Sequence, residues 1–239
     1  MTSVIVPTYN EAGNVALLLE RLRVALDGTC YEIVLVDDDS PDQTWRLAQL
    51  EAASDNRISV IRRRQDRGLS SAILAGMAQA RGDVIVVIDA DLQHDERCIP
   101  DLVSGIVEGG SDLSVASRSV AGGDYGSFSR RRRLISWIGA TLARLLLNVP
   151  ISDPMSGFFA LSRERFELLS NDIDPKGFKI LLEFLARGPK PSVTEVGYRF
   201  GERHSGETKL NSIVVVDYLK AVLTLALHRL GQRRRPTTE

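Results

Sequence analysis

Apolar residues recur along this chain in two alternating patterns. Ser3 to Val6, Glu32 to Val36, Ile58 to Ile61, Val84 to Ile88 and Leu113 to Ser117 are short runs rich in β-branched residues and read as strands. Between them, Val15 to Leu26, Thr44 to Ala53, Ser70 to Ala80 and Cys98 to Glu108 carry helical spacing. Asn14 is the expected N-cap of the first helix, and Gly82 closes the third. Strands alternating with helices predict a doubly wound α/β fold on a mostly parallel sheet.

The pattern changes near Gly122. The loop Gly122 to Ser127 feeds Arg130-Arg131-Arg132-Arg133, after which Leu134 to Leu147 is almost wholly apolar and contains Trp137. A basic start, an interfacial aromatic and a leucine-rich face suit a helix lying on an anionic membrane, and equally a core helix with a solvated basic end. Asp153 to Leu161 is a loop entering a strand, Gly177 to Arg187 a helix and Val193 to Phe200 a strand. The polar basic loop Gly201 to Lys209 precedes a second amphipathic stretch from Ile213. Its Asp217, Lys220 and His228 argue against a spanning helix, which needs about 20 mostly apolar residues. The expected organisation is a catalytic domain over residues 1–211, including an interface helix at 128–148, then an amphipathic helix at 212–231 and a basic disordered tail at 232–239.

A hydrophobic fraction of 44% and a charged fraction of 26% in 239 residues describe a globular domain with a substantial core. The net charge of -1 gives no general attraction for nucleic acid. Cys30 and Cys98 lack metal-ligand spacing and suit a reducing compartment. The strand pattern begins at Ser3, with no signal-peptide pattern before it.

Candidate chemistry gathers where strands end. Asp89 and Asp91 follow the buried run Val84 to Ile88, with Gln93 two residues on. In an open α/β sheet ligands bind beyond the carboxyl ends of the strands, and oxygen-only donors suit Mg²⁺ or Mn²⁺. Tyr9 and Glu11 follow the first strand, and Asp37 and Asp38 the second, so a parallel sheet would bring all three groups to one crevice. Arg118, Arg132, Arg203 and Lys209 add cations, as a substrate with several phosphates requires. Neither G-x-x-x-x-G-K-[ST] nor G-x-G-x-x-G after the first strand occurs, which counts against an ATPase and a dinucleotide dehydrogenase. No Ser-His-Asp or Cys-His set stands out, and His94 is expected as a surface histidine that at most reaches the outer shell of a metal.

These segments resemble a known family. Val4 to Glu11 and Ile33 to Thr44 resemble the two nucleotide-binding motifs of the inverting nucleotide-diphosphosugar glycosyltransferases of family 2. Asp89-Ala90-Asp91-Leu92-Gln93-His94 is similar to the metal motif of its polyprenyl-phosphate branch. Ser152 to Phe158, Gly177 to Glu183, and Arg203 with Gly206, Glu207, Lys209 and Leu210 look like the dolichol-phosphate mannosyltransferases, in order along the chain.

The resemblance implies a Rossmann-like nucleotide-diphosphosugar transferase (type-A) fold with amphipathic membrane-interface helices. It implies transfer of mannose from GDP-mannose to a polyprenyl phosphate, with inversion, at the cytoplasmic face of a membrane. Pro7, Tyr9, Glu11, Val36, Asp37, Asp38, Asp89, Ala90, Asp91, Arg203 and Lys209 would bind the nucleotide sugar, with Asp91, Arg203 and Lys209 catalytic. Asp89, Asp91 and Gln93 would hold Mg²⁺ or Mn²⁺, and Arg118, Arg132 and Ser136 the acceptor phosphate. Asp39 and Gln43 depart from the motif, where a small or amide residue and a glycine are expected. Many relatives carry transmembrane helices after the catalytic domain; this chain would be peripheral or need a membrane-spanning partner. UDP-glucose or UDP-N-acetylglucosamine as donor is the nearest alternative. A binding protein without turnover and a soluble transferase to a hydroxyl acceptor are alternatives of other classes.

Overall fold

The computed structural model describes residues 1–175, 180–202 and 218–227. Its strands are β1 (Thr2–Thr8), β2 (Tyr31–Asp37), β3 (Ile58–Arg62), β4 (Val84–Val87), β5 (Leu113–Ser117), β6 (Phe159–Ser162) and β7 (Val193–Gly197). They form one sheet in the order β3-β2-β1-β4-β6-β5-β7. β1 pairs in parallel with β2 and β4, β2 with β3, and β5 with β7. β6 runs antiparallel to both β4 and β5. The carboxyl ends of the six parallel strands and the entrance of β6 therefore share one edge.

The helices are α1 (Val15–Ala25), α2 (Thr44–Ser54), α3 (Leu69–Gln79), α4 (Ile99–Val107), α5 (Arg130–Leu147), α6 (Arg163–Leu169) and α7 (Ile180–Ala186). Residues 218–227 are also helical. Alternate residues of each strand enter two cores, because a strand sends successive side chains to opposite faces. Val4, Val6, Ile33 and Leu35 meet Leu18, Leu22, Leu102 and Ile106 on one face. On the other, Ile5, Val34, Val36 and Phe159 meet Ile73, Met77, Leu147, Leu181 and Val222. A three-layer α/β/α architecture results.

Several boundaries differ from expectation for local reasons. Asn14 occupies the N-cap position of α1 but makes no side-chain cap; its amide donates instead to Glu11 Oε2 at 2.6 Å. The helix expected from Cys98 begins as a 3₁₀ turn at Glu96–Cys98, where the Asp95 side chain accepts from Arg97 N. α5 begins at Arg130, so the four arginines lie inside its first turn, behind Ser129, whose Oγ accepts from Arg132 N at 3.3 Å. The strand expected from Val193 to Phe200 ends at Gly197.

α5 buries Ala140, Ala143 and Leu147 on one face and exposes Leu134, Ile135, Trp137, Ile138 and Leu145. Residues 218–227 bury Tyr218, Val222 and Leu225 and expose Leu219, Leu223 and Leu227. Tyr218 donates its hydroxyl to Gly139 O at 2.9 Å, which ties this segment to α5. Among the described residues no helix is long and apolar enough to cross a membrane.

Candidate active site

The crevice beyond the sheet begins where β1 and β2 part. Asp37 is fully buried there and accepts three bonds: Thr8 Oγ1 at 2.9 Å, Ser40 N at 2.8 Å and Ser40 Oγ at 2.6 Å. Its oxygens shape the turn. Asp38 stands beside it, accepting from Gly68 N at 2.7 Å with Arg63 Nη1 3.4 Å away. Tyr9 is exposed, and Glu11 is fixed through its backbone N, which donates to Thr44 Oγ1 at 2.9 Å. Pro7 is buried opposite Val36 in the β1–β2 ladder. The Val36 side chain lies in the core against α3, so this residue offers the crevice only its backbone. Asp39 and Gln43 both have left-handed backbone, φ 56° and 62°. The motif's preference for glycine at position 43 is thus a conformational one, met here by a residue that adopts it at some cost.

The end of β4 forms the next wall. Asp89 is partly exposed, while Ala90 and Asp91 are nearly buried. Asp91 Oδ1 accepts from Gln93 N at 3.1 Å, and Gln93 Nε2 donates to Gly201 O at 3.2 Å. Leu92 between them has φ 62°, an unusual conformation for a bulky residue that is tolerated where function or packing over-determines it. Among the described residues no cluster of three or more His, Cys, Asp or Glu is arranged as a metal site.

His94 is not on the surface. It is buried, stacked on Phe158 with ring centroids 5.3 Å apart and edged by Tyr198 and Phe200, each at 5.7 Å. Its Nε2 lies 3.8 Å from Asp89 Oδ2. Burial pushes the imidazole down to about 4, against the pull of Asp91, so it is neutral near pH 7. The motif reads as polar, but Phe158, Tyr198 and Phe200 come from distant segments and close over the ring.

The opposite wall carries the arginines. Arg118 follows β5 and is gripped by Asp153, Nε to Oδ2 at 2.7 Å and Nη2 to Oδ1 at 2.8 Å. Its guanidinium lies over the rings of Tyr125, Phe128 and Phe200, 5.4 to 5.6 Å from their centroids. Arg132 lies 3.6 Å from the Phe128 centroid, so the two arginines expected at the acceptor phosphate share one aromatic ring. Ser136 is one helical turn beyond Arg132 and half-buried. Tyr198 links the walls: burial pushes its phenol well above the ordinary range, opposed by Arg118 and reinforced by Asp153, Asp89 and Asp91.

The structure thus brings Tyr9, Glu11, Asp38, Asp89, Asp91, Gln93, Arg118 and Arg132 to one edge of the sheet. Arg203 and Lys209 lie outside the described residues, as does part of the Gly177 to Glu183 motif. Three residues matter more than sequence reading showed. Leu92 adopts its conformation without any sequence signal. Asp153 and Gly157 stand in a recognised motif, yet only the fold shows what they touch.

A family model described as glycosyl transferase family 2 matches residues 3–169. A dolichol-phosphate mannosyltransferase of Pyrococcus furiosus is 46% identical over 225 residues, 93% of this chain and 63% of that protein's length. One of Saccharomyces cerevisiae is 36% identical over 238 residues, covering 96% of this chain and 88% of that protein. A glucosyl-3-phosphoglycerate synthase of Mycobacterium tuberculosis, solved with Mg²⁺ and uridine diphosphate, superposes with TM-score 0.70 at 20% identity, over 95% of this chain and 79% of that one. Mannosyl-3-phosphoglycerate synthase of Rubrobacter xylanophilus gives 0.65 at 18% identity, over 100% of this chain and 77% of that one. The two structures show a shared fold. From the family match and the two sequence relatives, the chain belongs to glycosyl transferase family 2 and, within it, to the group of the dolichol-phosphate mannosyltransferases.

Proposed function

We propose that this chain transfers mannose from GDP-mannose to a polyprenyl phosphate, with inversion, at the cytoplasmic face of a membrane. The observation that carries the reading is the pairing of two kinds of wall: Asp89 and Asp91 at the end of β4, and Arg118 and Arg132 around Phe128. The first suits a metal-bound diphosphate, and the second a phosphate with its own charge. Four arginines in the first turn of α5 oppose the helix dipole, a cost that an anion held there offsets.

The donors suit a hard divalent cation. Asp89, Asp91 and the Gln93 side chain would hold the ion, each through oxygen, the donor type that Mg²⁺ and Mn²⁺ prefer. A divalent ion at this place would supply positive charge toward a departing nucleoside diphosphate.

The acceptor needs no strong base. A lipid monophosphate has a second pKa of about 6 and is largely dianionic at neutral pH. One of its oxygens attacks the anomeric carbon from the side opposite the diphosphate; the new bond forms as the old one breaks, inverting that carbon. The neutral, enclosed His94 fits a site where proton abstraction is not the difficulty. Asp38, Tyr9 and Glu11 would orient the nucleoside, Arg118 and Arg132 the attacking phosphate, and Arg203 and Lys209 would meet the leaving diphosphate. The exposed leucines and Trp137 of α5, with Leu219, Leu223 and Leu227, supply the apolar face for peripheral membrane contact.

The test incubates the protein with Mn²⁺ or Mg²⁺, a polyprenyl monophosphate, and GDP-mannose or UDP-glucose in parallel. Lipid-linked sugar is read by mass, with Asp91→Ala as control. Product from GDP-mannose alone, absent in the variant, is expected; product from UDP-glucose alone replaces the donor. No lipid product with either donor overturns the proposed transfer.

A further inference from the structure

We infer that Asp153 is a positioning residue for the acceptor phosphate, acting through Arg118; the inference rests on the function proposed above. Asp153 is almost fully buried and takes the Nε and Nη2 edge of Arg118 in a two-bond fork, 2.7 and 2.8 Å long. The same carboxylate accepts Arg118 N at 3.2 Å, so both ends of the arginine are fixed to it. Among the described residues Nη1 makes no hydrogen bond, which leaves it as the free edge of the fork for a phosphate oxygen. A guanidinium has five N–H donors in one plane; pinning one edge sets the direction of the other.

The backbone that carries this carboxylate is itself held. Ser156 N donates to Asp153 O at 3.2 Å, and Ser156 Oγ donates to Ala116 O at 2.7 Å, so the loop entering β6 is tied to the end of β5. Tyr125, Phe128 and Phe200 cover the guanidinium and exclude much of the water that would compete for it. A buried ion pair is weak evidence for a stabilising role, since well-packed apolar residues often serve stability as well or better. The pair gains its sense from direction. Asp153 also carries a charge that repels a phosphate, and fixing the fork outweighs that repulsion.

One loop serves both walls. Asp153 grips Arg118, and four residues later Gly157 packs against Asp89, close enough that an added Cβ would lie 2.8 Å from Asp89 Oδ2. Residues 153–157 thus connect the proposed acceptor and donor sites through one hydrogen-bonded turn.

The test is steady-state kinetics of Asp153→Asn with GDP-mannose, Mn²⁺ and a polyprenyl monophosphate, both substrates varied. The amide keeps the shape but loses the charge and one accepting oxygen. Loss of a charge-assisted bond predicts that the acceptor KM rises about tenfold or more. Donor KM and the Mn²⁺ requirement stay within about twofold, a split that loss of folding would not produce. Arg118→Lys keeps a cation without the fork and is expected to show the same split. It also serves if Asp153→Asn does not fold. The double variant should be no worse than the more impaired single one, because both remove one coupled unit. An unchanged or lowered acceptor KM, an equal rise in both KM values, or multiplicative losses in the double variant overturn the inference alone. Failure of the unsubstituted protein to form lipid product overturns the proposed function and this inference together.

Discussion

Gly157→Ala isolates the geometry of the proposed metal ligands with a single methyl group. The new Cβ would stand 2.8 Å from Asp89 Oδ2 and 3.4 Å from both Asp89 Cγ and His94 Cε1. Ordinary contact therefore requires the carboxylate oxygen to retreat by about 0.6 Å. It can move, because the Asp89 side chain is 33% exposed toward the crevice while His94 is enclosed. Gly157 does not have a positive φ, so alanine brings no backbone strain and reduces the entropy of the unfolded chain. Metal sites tolerate ligand shifts of only about 0.2 Å, and a misplacement of about 1 Å at a reacting centre costs on the order of a hundredfold in rate. The expected result is a kcat lowered roughly tenfold and a raised half-saturating Mn²⁺ concentration, with Tm within about 2 °C of the parent. Turnover is measured across a Mn²⁺ titration, with calorimetry on the same preparation. Unaltered kcat and metal titration in a folded variant would refute the claim that Asp89 must sit where Gly157 allows it.

Three further outcomes follow from other parts of the fold. Arg165 is buried and donates to the carbonyls of Phe184, Arg187 and Pro189 at 2.6 to 2.9 Å, so Arg165→Met should lower unfolding free energy by about 3 kcal/mol in denaturant titrations, leaving the activity of folded enzyme intact. Leu134→Glu with Trp137→Glu places charge on the exposed face of α5 and should reduce flotation with anionic vesicles at least about tenfold, while turnover of a soluble short-chain acceptor persists. Burial, reinforced by Asp95 and Asp101, pushes the Cys98 thiol up to about 11 from 9.0, so its reactive thiolate is about a hundredfold scarcer at pH 8 than in an ordinary cysteine. Iodoacetamide at that pH should therefore label exposed Cys30 first, read by peptide mass, and labelling of Cys98 should climb as pH rises toward 11.

The alternation of apolar strands with amphipathic helices was legible because it is local: period and length mark β1, α1, β2 and α2 without knowledge of any partner. The acids at the ends of β1, β2 and β4 were legible for a related reason, since a parallel arrangement sends every such end to one edge. The direction of β6 was not, because a run such as Phe159–Ser162 reads the same whether its neighbours run with it or against it. The resemblance gave Val36, Asp37 and Asp38 one shared role, yet packing divides their work: Val36 faces the core and Asp37 builds the turn, whereas Asp38 stands beside them with Gly68 and Arg63.

By itself, then, the sequence determined the order of the elements, the crevice they would share and the oxygen donors and cations available to it. Tertiary structure decided who touches whom. It buried His94 beneath aromatic rings that stand just before β6 and just after β7, set Arg118 in the grip of Asp153, and pressed Gly157 against Asp89. Each of these contacts joins residues 35 or more positions apart or depends on such a contact. Spacing along a chain cannot report them, because burial and hydrogen-bond partners are properties of the packed whole.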